Sequence, residues 1–198
     1  MPLLPIAPDD AEVIEASLAE PGRFAVLFDR HAPYIQRYLA RRVGTQAAED
    51  LLAETFLVAF GKRAAYDQSF RDARGWLYGI ATRLIGRHRR EEVRQLRLSR
   101  AAGPDLDQTD HPERSVVNLT ARSLRSVLAA ALAGLAEPDR DVLLLIAWEQ
   151  LSYEEVARAL GIPVGTVRSR LHRARTKIRQ ALASTPAAAT YKEILTND

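Results

Sequence analysis

The stretch from Ser152 to Arg179, SYEEVARALGIPVGTVRSRLHRARTKIR, decides how this chain is read. It contains two helical patterns joined by a tight turn. Ser152 is a candidate N-cap, with Glu155 three residues on in the position of a capping box. Leu151 and Val156 sit where a hydrophobic staple would close the same helix start. Val156, Ala157 and Leu160 make a short apolar stripe. Gly161 then stands where a left-handed residue ends a helix, and Pro163 blocks continuation.

The second pattern starts around Pro163 to Gly165. Its apolar face is Val164, Val167, Leu171, Ala174 and Ile178, spaced three and four apart. Gly165, Ser169, His172, Arg173, Thr176 and Gln180 project from the other side, with Thr166 beside them. Arg168, Arg170, Arg175 and Arg179 lie along the flanks. Between Val164 and Ala183 there are six Lys or Arg and no Asp or Glu. A short helix with a small, polar, basic outer face, set after another short helix, suits the major groove of DNA. The plainer alternative is a solvated basic helix on an ordinary bundle, although such helices usually intersperse acids among the bases.

Working outward, 198 residues hold one ordinary domain or two small ones. A hydrophobic share of 47% with 27% charged residues describes a soluble globular chain. The net charge of +3 is modest but unevenly placed. Residues 83–100 carry seven Arg against two Glu, whereas the first sixty residues hold nine acidic side chains against five basic. That asymmetry predicts two different partners, one of them anionic. The absence of cysteine excludes disulfides, thiol catalysis and thiolate metal sites. No apolar run approaches the roughly 18 residues of a membrane span, and the N-terminus lacks the basic and apolar segments of a signal peptide. A cytoplasmic protein without membrane insertion is expected.

The expected architecture is all-α, two small helical domains on a flexible linker. Residues 1–12 are Pro-rich and read as a loose arm. The first domain spans 13–98. Phe24, Leu27, Phe28, Ile35, Tyr38 and Leu39 supply one apolar face there, with Pro33 as a kink or a new helical start. AAEDLLAETFLVAFGKRAA is a second helix, with Leu52, Phe56, Ala59 and Phe60 inward and Glu49, Asp50 and Glu54 outside near its N-terminal end. A loop, YDQSFRDAR, precedes a third helix with Trp76, Leu77, Ile80, Leu84 and Ile85 apolar and Arg83, Arg87, Arg89, Arg90 and Arg94 basic. A basic helix after a loop with Tyr66, Phe70 and Trp76 has both ingredients for single-stranded nucleic acid, stacking platforms and an electrostatic track. A core role for Phe70 and Trp76 is the alternative, since aromatics mostly fill cores. Residues 99–118, rich in Pro and acidic side chains, are the linker. The second domain spans 119–183, opening with an amphipathic helix through Leu124, Val127, Leu128, Ala131 and Leu135, and 184–198 is a tail. The four histidines share no metal-ligand spacing, and no phosphate-binding glycine loop or nucleophile elbow is present. Neither an enzyme nor a cofactor is expected.

Together these segments resemble the small, extracytoplasmic-function RNA polymerase sigma factors of the sigma-70 family. AEDLLAETFLVAF looks like the core-binding helix of region 2, and GWLYGIATRLIGRHRR like the part that melts and reads the promoter minus-ten element. LAEPDRDVLLLIAWEQLSYEEVARALGIPVGTVRSRLHRAR looks like region 4, the reader of the minus-thirty-five element. The resemblance implies that Asp50, Leu51 and Glu54 meet the clamp coiled coil of the polymerase's largest subunit. It implies that Phe70 and the loop to Trp76 capture a flipped minus-ten base, with Thr82, Arg83 and Arg87 bordering that strand. Tyr153, Glu154, Thr166, Arg168, Ser169, His172 and Arg173 fall on the major-groove and phosphate contacts of region 4. Core polymerase, its flap included, is the implied partner, with promoter DNA in duplex and single-stranded form and an anti-sigma protein. Three departures stand out: Ala53 where the family usually has Gln, Arg83 where it usually has Asn, and a short loop before Trp76. An Arg at 83 shifts the balance from base readout toward phosphate grip. The rival readings are a free-standing helix-turn-helix regulator, which would be dimeric on a palindromic operator, and a protein-interaction module without a DNA role.

Overall fold

The computed structural model describes residues 8–101 and 119–183, and among these every regular element is helical. The elements are α1 (Asp10–Ala19), α2 (Ala25–Val43), α3 (Thr45–Lys62), α4 (Arg74–Ala101), α5 (Leu119–Ala133), α6 (Glu137–Ala147), α7 (Tyr153–Leu160) and α8 (Val164–Ala183), with 3₁₀ turns at Pro21–Phe24 and Arg63–Ala65. They group into two compact units. One comprises Met1–Ala102 and Glu154–Gly161, the other Gly103–Tyr153 and Ile162–Asp198. The expected linker, from residue 102 onward, and the expected tail lie outside the described residues.

In the first unit α2, α3 and α4 pack on one another and α1 closes one end against α2 and the two 3₁₀ turns. Leu27, Ile35, Tyr38 and Leu39 of α2 are buried at the predicted spacing. Pro33 lies inside an unbroken α2. Phe28 is 41% exposed and meets Phe56 only edge-on, ring centroids 4.8 Å apart. On α3 the buried stripe is Ala48, Leu51, Thr55, Phe56 and Ala59. Phe56 and Ala59 face inward as expected, while Leu51 is buried and Leu52 and Phe60 are half-buried. Two adjacent leucines fit the stripe equally well by spacing, and packing against α2 and α4 selects one of them.

A buried polar network locks α2 to α4. Arg42 donates to the Tyr38 hydroxyl at 2.9 Å, and that hydroxyl shares a 2.9 Å hydrogen bond with Thr82. The Tyr38 and Tyr78 rings meet edge to face at 5.3 Å. On its other side α4 receives α7. A Cβ on Gly79 would lie 2.3 Å from the Ala159 carbonyl oxygen, so only glycine permits that approach.

Of the expected arm, residues 1–7 lie outside the described residues, and residues 8–12 are more ordered than their composition predicts. Asp9 and Glu12, expected in a loose arm, form a reciprocal capping box for α1. Asp10 is 6% exposed and holds three donors: Arg30 at 2.9 Å, the His31 Nε2 at 2.7 Å and the backbone N–H of Ala73 at 3.0 Å.

In the second unit α8 packs on α5 and α6. Val142, Leu143, Leu144 and Leu145 of α6 and Val167, Leu171 and Ala174 of α8 form the core with Leu135. Between α7 and α8 Gly161 adopts φ +67°, the left-handed conformation expected of the turn, and its N–H bonds to the Arg158 carbonyl.

The Asp10 site carries a pH dependence. Burial works to raise its pKa, but the His31 hydrogen bond and charge, the Ala73 N–H and Arg30 outweigh it and lower the carboxyl from 3.8 to about 2. A lowered folded-state value contributes stability above the unfolded pKa and loses it as pH falls through the folded one. Asp10→Asn is expected to be less stable at neutral pH by about 2 kcal/mol, with the gap to wild type closing between about pH 4 and 2. Urea unfolding at a series of pH values checks this; a gap independent of pH would sink it.

Candidate nucleic-acid and polymerase interfaces

Between α3 and α4 the chain runs through a loop whose shape is held at several points. Asp67 accepts from the Ser69 N–H at 3.0 Å and the Ser69 hydroxyl at 2.7 Å, the pattern of an Asx turn. The buried Tyr66 hydroxyl donates to the Phe70 carbonyl at 2.6 Å. Burial, with Asp10 and Asp72 nearby, raises the Tyr66 pKa, so the phenol stays a donor. Asp72 accepts from the Arg74 N–H at 2.7 Å at the start of α4. The Tyr66 and Trp76 rings lie tilted, 5.0 Å apart. These rings, with Phe70, Asp67, Asp72 and Arg158, line a cavity of about 300 Å³. Phe70 and Trp76 are half-buried, wall residues of that cavity with an open side. The guanidinium of Arg158, within the first unit, lies over the Phe70 ring, 3.8 Å from its centroid.

The other residues predicted around this loop divide. Thr82 is buried, its hydroxyl spent on Tyr38, and faces the core. Arg83, one residue and about 100° further round the helix, is exposed, with a nitrogen 3.5 Å from the Ala159 carbonyl. Arg87 is exposed and forms an ion pair with Glu54 of α3.

On α3 itself Asp50 is exposed and Glu54 half-exposed, while Leu51 belongs to the core. Leu57, which sequence reasoning passed over, is 70% exposed. It stands seven residues after Asp50 and three after Glu54, so Asp50, Ala53, Glu54 and Leu57 share one outward stripe. The usable signal was an apolar residue on the face already read as acidic.

On α8 Arg168, Ser169 and His172 are exposed and Thr166 half-exposed, on the side away from Val167, Leu171 and Ala174. The Ser169 hydroxyl donates to the Thr166 carbonyl at 3.0 Å. Arg173 is exposed too, yet its fork grips Asp139, which is 5% exposed, at 3.1 and 2.8 Å. That pairing raises the Arg173 pKa. Glu154 at the start of α7 is exposed, and Tyr153 is half-buried.

Comparison with known proteins bears on what these surfaces serve. The family model of sigma-70 region 2 matches residues 27–95, and that of sigma-70 region 4 matches residues 125–178. The ECF RNA polymerase sigma factor SigL of Mycobacterium tuberculosis is 35% identical over 174 residues, which span 87% of this chain and 96% of the relative. The chain belongs to the ECF RNA polymerase sigma factors. The RNA polymerase sigma factor CarQ of Myxococcus xanthus is 36% identical over 160 residues, 80% of this chain and 88% of the relative. Among solved structures, the sigma factor RpoE in complex with the anti-sigma factor NepR from Bartonella quintana matches with a TM-score of 0.60 at 22% identity, covering 81% of this chain and 97% of that one. CnrH in complex with the cytosolic domain of CnrY matches with the same TM-score at 24% identity, covering 89% and 99%. At these identities the two structures speak for the fold.

As an ECF sigma factor the protein associates with core RNA polymerase and directs transcription initiation at promoter DNA. A free-standing helix-turn-helix regulator would need no region 2, and this chain matches both regions. Sigma factors are not enzymes. Among the described residues no helix is long and apolar enough to cross a membrane.

Two side chains first read as DNA contacts have folding partners, which separates their expected phenotypes from those of their neighbours. Thr82→Val removes one hydrogen-bond partner of a buried hydroxyl and is expected to cost about 1 kcal/mol in urea unfolding. Arg173→Ala leaves the Asp139 carboxylate buried without its fork and is expected to lower the unfolding midpoint, whereas Arg168→Ala leaves the midpoint unchanged. Equal midpoints for the two arginine variants would contradict the placement of Arg173.

Proposed function

We propose that the segment 13–98 binds core polymerase and the minus-ten element, and that 119–183 binds the minus-thirty-five element. The Asp50, Ala53, Glu54 and Leu57 stripe of α3 meets the clamp coiled coil, with carboxylates for its basic groups and Leu57 as the apolar anchor. Leu51 acts from inside, by holding α3 in register. The loop from Tyr66 to Ala73, with Trp76, receives an unstacked base of the non-template strand, while Arg83 and Arg87 track its phosphates. Arg168, Ser169, His172 and Thr166 meet duplex DNA at the minus-thirty-five element, with Tyr153, Glu154 and Arg173 at the edge of that contact. The observation that carries this reading is the aromatic cavity at the start of α4, the helix that carries the exposed Arg83 and Arg87, a pairing of stacking surface and cationic track that single strands require.

No covalent chemistry by this chain is involved, and no cofactor. Trapping an unstacked base offsets the few kcal/mol needed to extrude it. Docking on polymerase turns two weak DNA contacts into one bivalent one. The action is cytoplasmic, where polymerase and promoter are. The sigma factor RpoE was solved with the anti-sigma factor NepR, and CnrH with the cytosolic domain of CnrY, and an anti-sigma protein is proposed as a further partner here.

In-vitro transcription with core polymerase on genomic templates tests the whole. Adding the protein is expected to produce initiation at discrete sites; none at any site overturns the reading. Asp50→Ala with Glu54→Ala is expected to weaken polymerase binding and spare duplex binding. Arg168→Ala should weaken duplex binding and reduce the slope of log affinity against log salt by about one. Arg158 covers one face of Phe70 and so competes with a base for stacking there. Arg158→Ala is therefore expected to tighten single-strand binding about two- to fivefold, read by fluorescence anisotropy. No tightening would mean that Phe70 is not the platform.

A further inference from the structure

The loop assigned to the minus-ten base is held from outside its own sequence neighbourhood. Asp10 lies 63 residues before Ala73 and upstream of the stretch matched by region 2. Its backbone N–H donates to the Arg71 carbonyl at 3.0 Å, and its carboxylate accepts from the Ala73 N–H at 3.0 Å. The two bonds, one to a carbonyl and one from an N–H, span three consecutive loop residues. They lie immediately after Phe70 and immediately before α4, which carries Trp76. Inside the loop, Tyr66 and Asp67 fix the other end at Phe70 and Ser69.

Asp10 is itself held where it is. Its Oδ1 accepts from Arg30, its Oδ2 is shared by His31 and the Ala73 N–H, and the two side-chain partners come from α2. The capping box of Asp9 and Glu12 sets the first turn of α1, in which Asp10 is the first residue. Asp72 lies close enough to Asp10 and His31 to suggest a cation site, but the Arg30 guanidinium already supplies the positive charge there. The cluster is a structural clamp on the loop.

We propose that Asp10 is a positioning residue for promoter reading, fixing Arg71 to Ala73 so that Phe70 and Trp76 face each other across a cavity of set width. The proposal rests on the assignment of that loop to the minus-ten strand. A loop without the clamp still offers aromatic rings and still binds single strands, but with a pocket of variable shape. Its loss is one of discrimination among bases, since selectivity depends on a fixed pocket outline.

The test uses holoenzyme reconstituted from core polymerase and the full chain, with a pool of single-stranded oligonucleotides carrying a randomised stretch. Base preference at each position of the bound fraction is the readout; being a ratio, it does not depend on how much of the protein is active. Wild type is expected to show a preference that Phe70→Ala abolishes. Asp10→Ala is expected to flatten it by about fivefold or more, equivalent to some 1 kcal/mol, while polymerase affinity holds. Asp10→Asn, which keeps a carbonyl oxygen for the Ala73 N–H, should retain most of it. Undiminished preference in Asp10→Ala, or equal flattening by Asn and Ala, overturns the proposal. Hydrogen exchange on the wild-type protein supplies a measurement free of any variant: the Ala73 amide is expected to be protected like the helical core, and exchange at open-loop rates overturns the proposal as well. If wild type shows no base preference while the Ala73 amide is protected, the minus-ten assignment fails and the clamp stands.

Discussion

The hydroxyl of Tyr38 is the point on which the first unit turns. It is a polar atom with no exposure, so it must be bonded inside the protein. Its bonds to Arg42 and Thr82 tie one rotational setting of α2 to one setting of α4. Apolar packing alone tolerates small rotations, whereas a buried hydrogen bond does not. With Thr82 turned inward, the 100° step of the helix carries Arg83 outward, and Arg87 one turn later. The basic edge of α4 is thus a consequence of a core hydroxyl. The same setting puts Gly79 against α7, where a side chain has no room.

Charge in this chain is less available than its composition implies. Arg30 is committed to Asp10, Arg94 to Glu91, Arg173 to Asp139 and Arg87 to Glu54. The pairs differ in kind. Asp10 and Asp139 are buried carboxylates whose arginines compensate a desolvated charge. Glu91 and Glu54 are accessible, and their pairs are of the weak, exchangeable surface type. A basic sigma factor therefore divides its arginines between those that hold the fold and those that can meet phosphate, and residue type does not distinguish them.

That division marks the boundary of what could be read from residues alone. The helices, the break at Gly161, and the apolar face of α8 are local, periodic signals, and they appear where spacing places them. The family resemblance was likewise carried by contiguous motifs. Three things were not local. The inward choice between Leu51 and Leu52 depends on the neighbouring helices. The inward turn of Thr82 depends on a tyrosine 44 residues away, and the engagement of Arg173 on an aspartate 34 residues away. Asp10 was hidden for a further reason: Pro and acidic residues at a chain start look like a frayed end, and nothing in that composition announces a bond to Ala73. Leu57 was legible in principle, since its spacing from Asp50 is helical.

The ion pair between Glu54 and Arg87 joins a residue of the stripe proposed to meet polymerase to one proposed to track the single strand. Drawing either side chain fully to another partner breaks the pair. A basic group drawn to Glu54 releases the Arg87 guanidinium, and a phosphate drawn to Arg87 releases the Glu54 carboxylate. Linkage makes such an exchange reciprocal, so each binding event lowers the cost of the other by the strength of the pair. For an accessible pair that strength is small, at most a few-fold in affinity. It nonetheless couples α3 and α4 electrically, so that under the proposed assignment a charge drawn to one helix frees its opposite on the other.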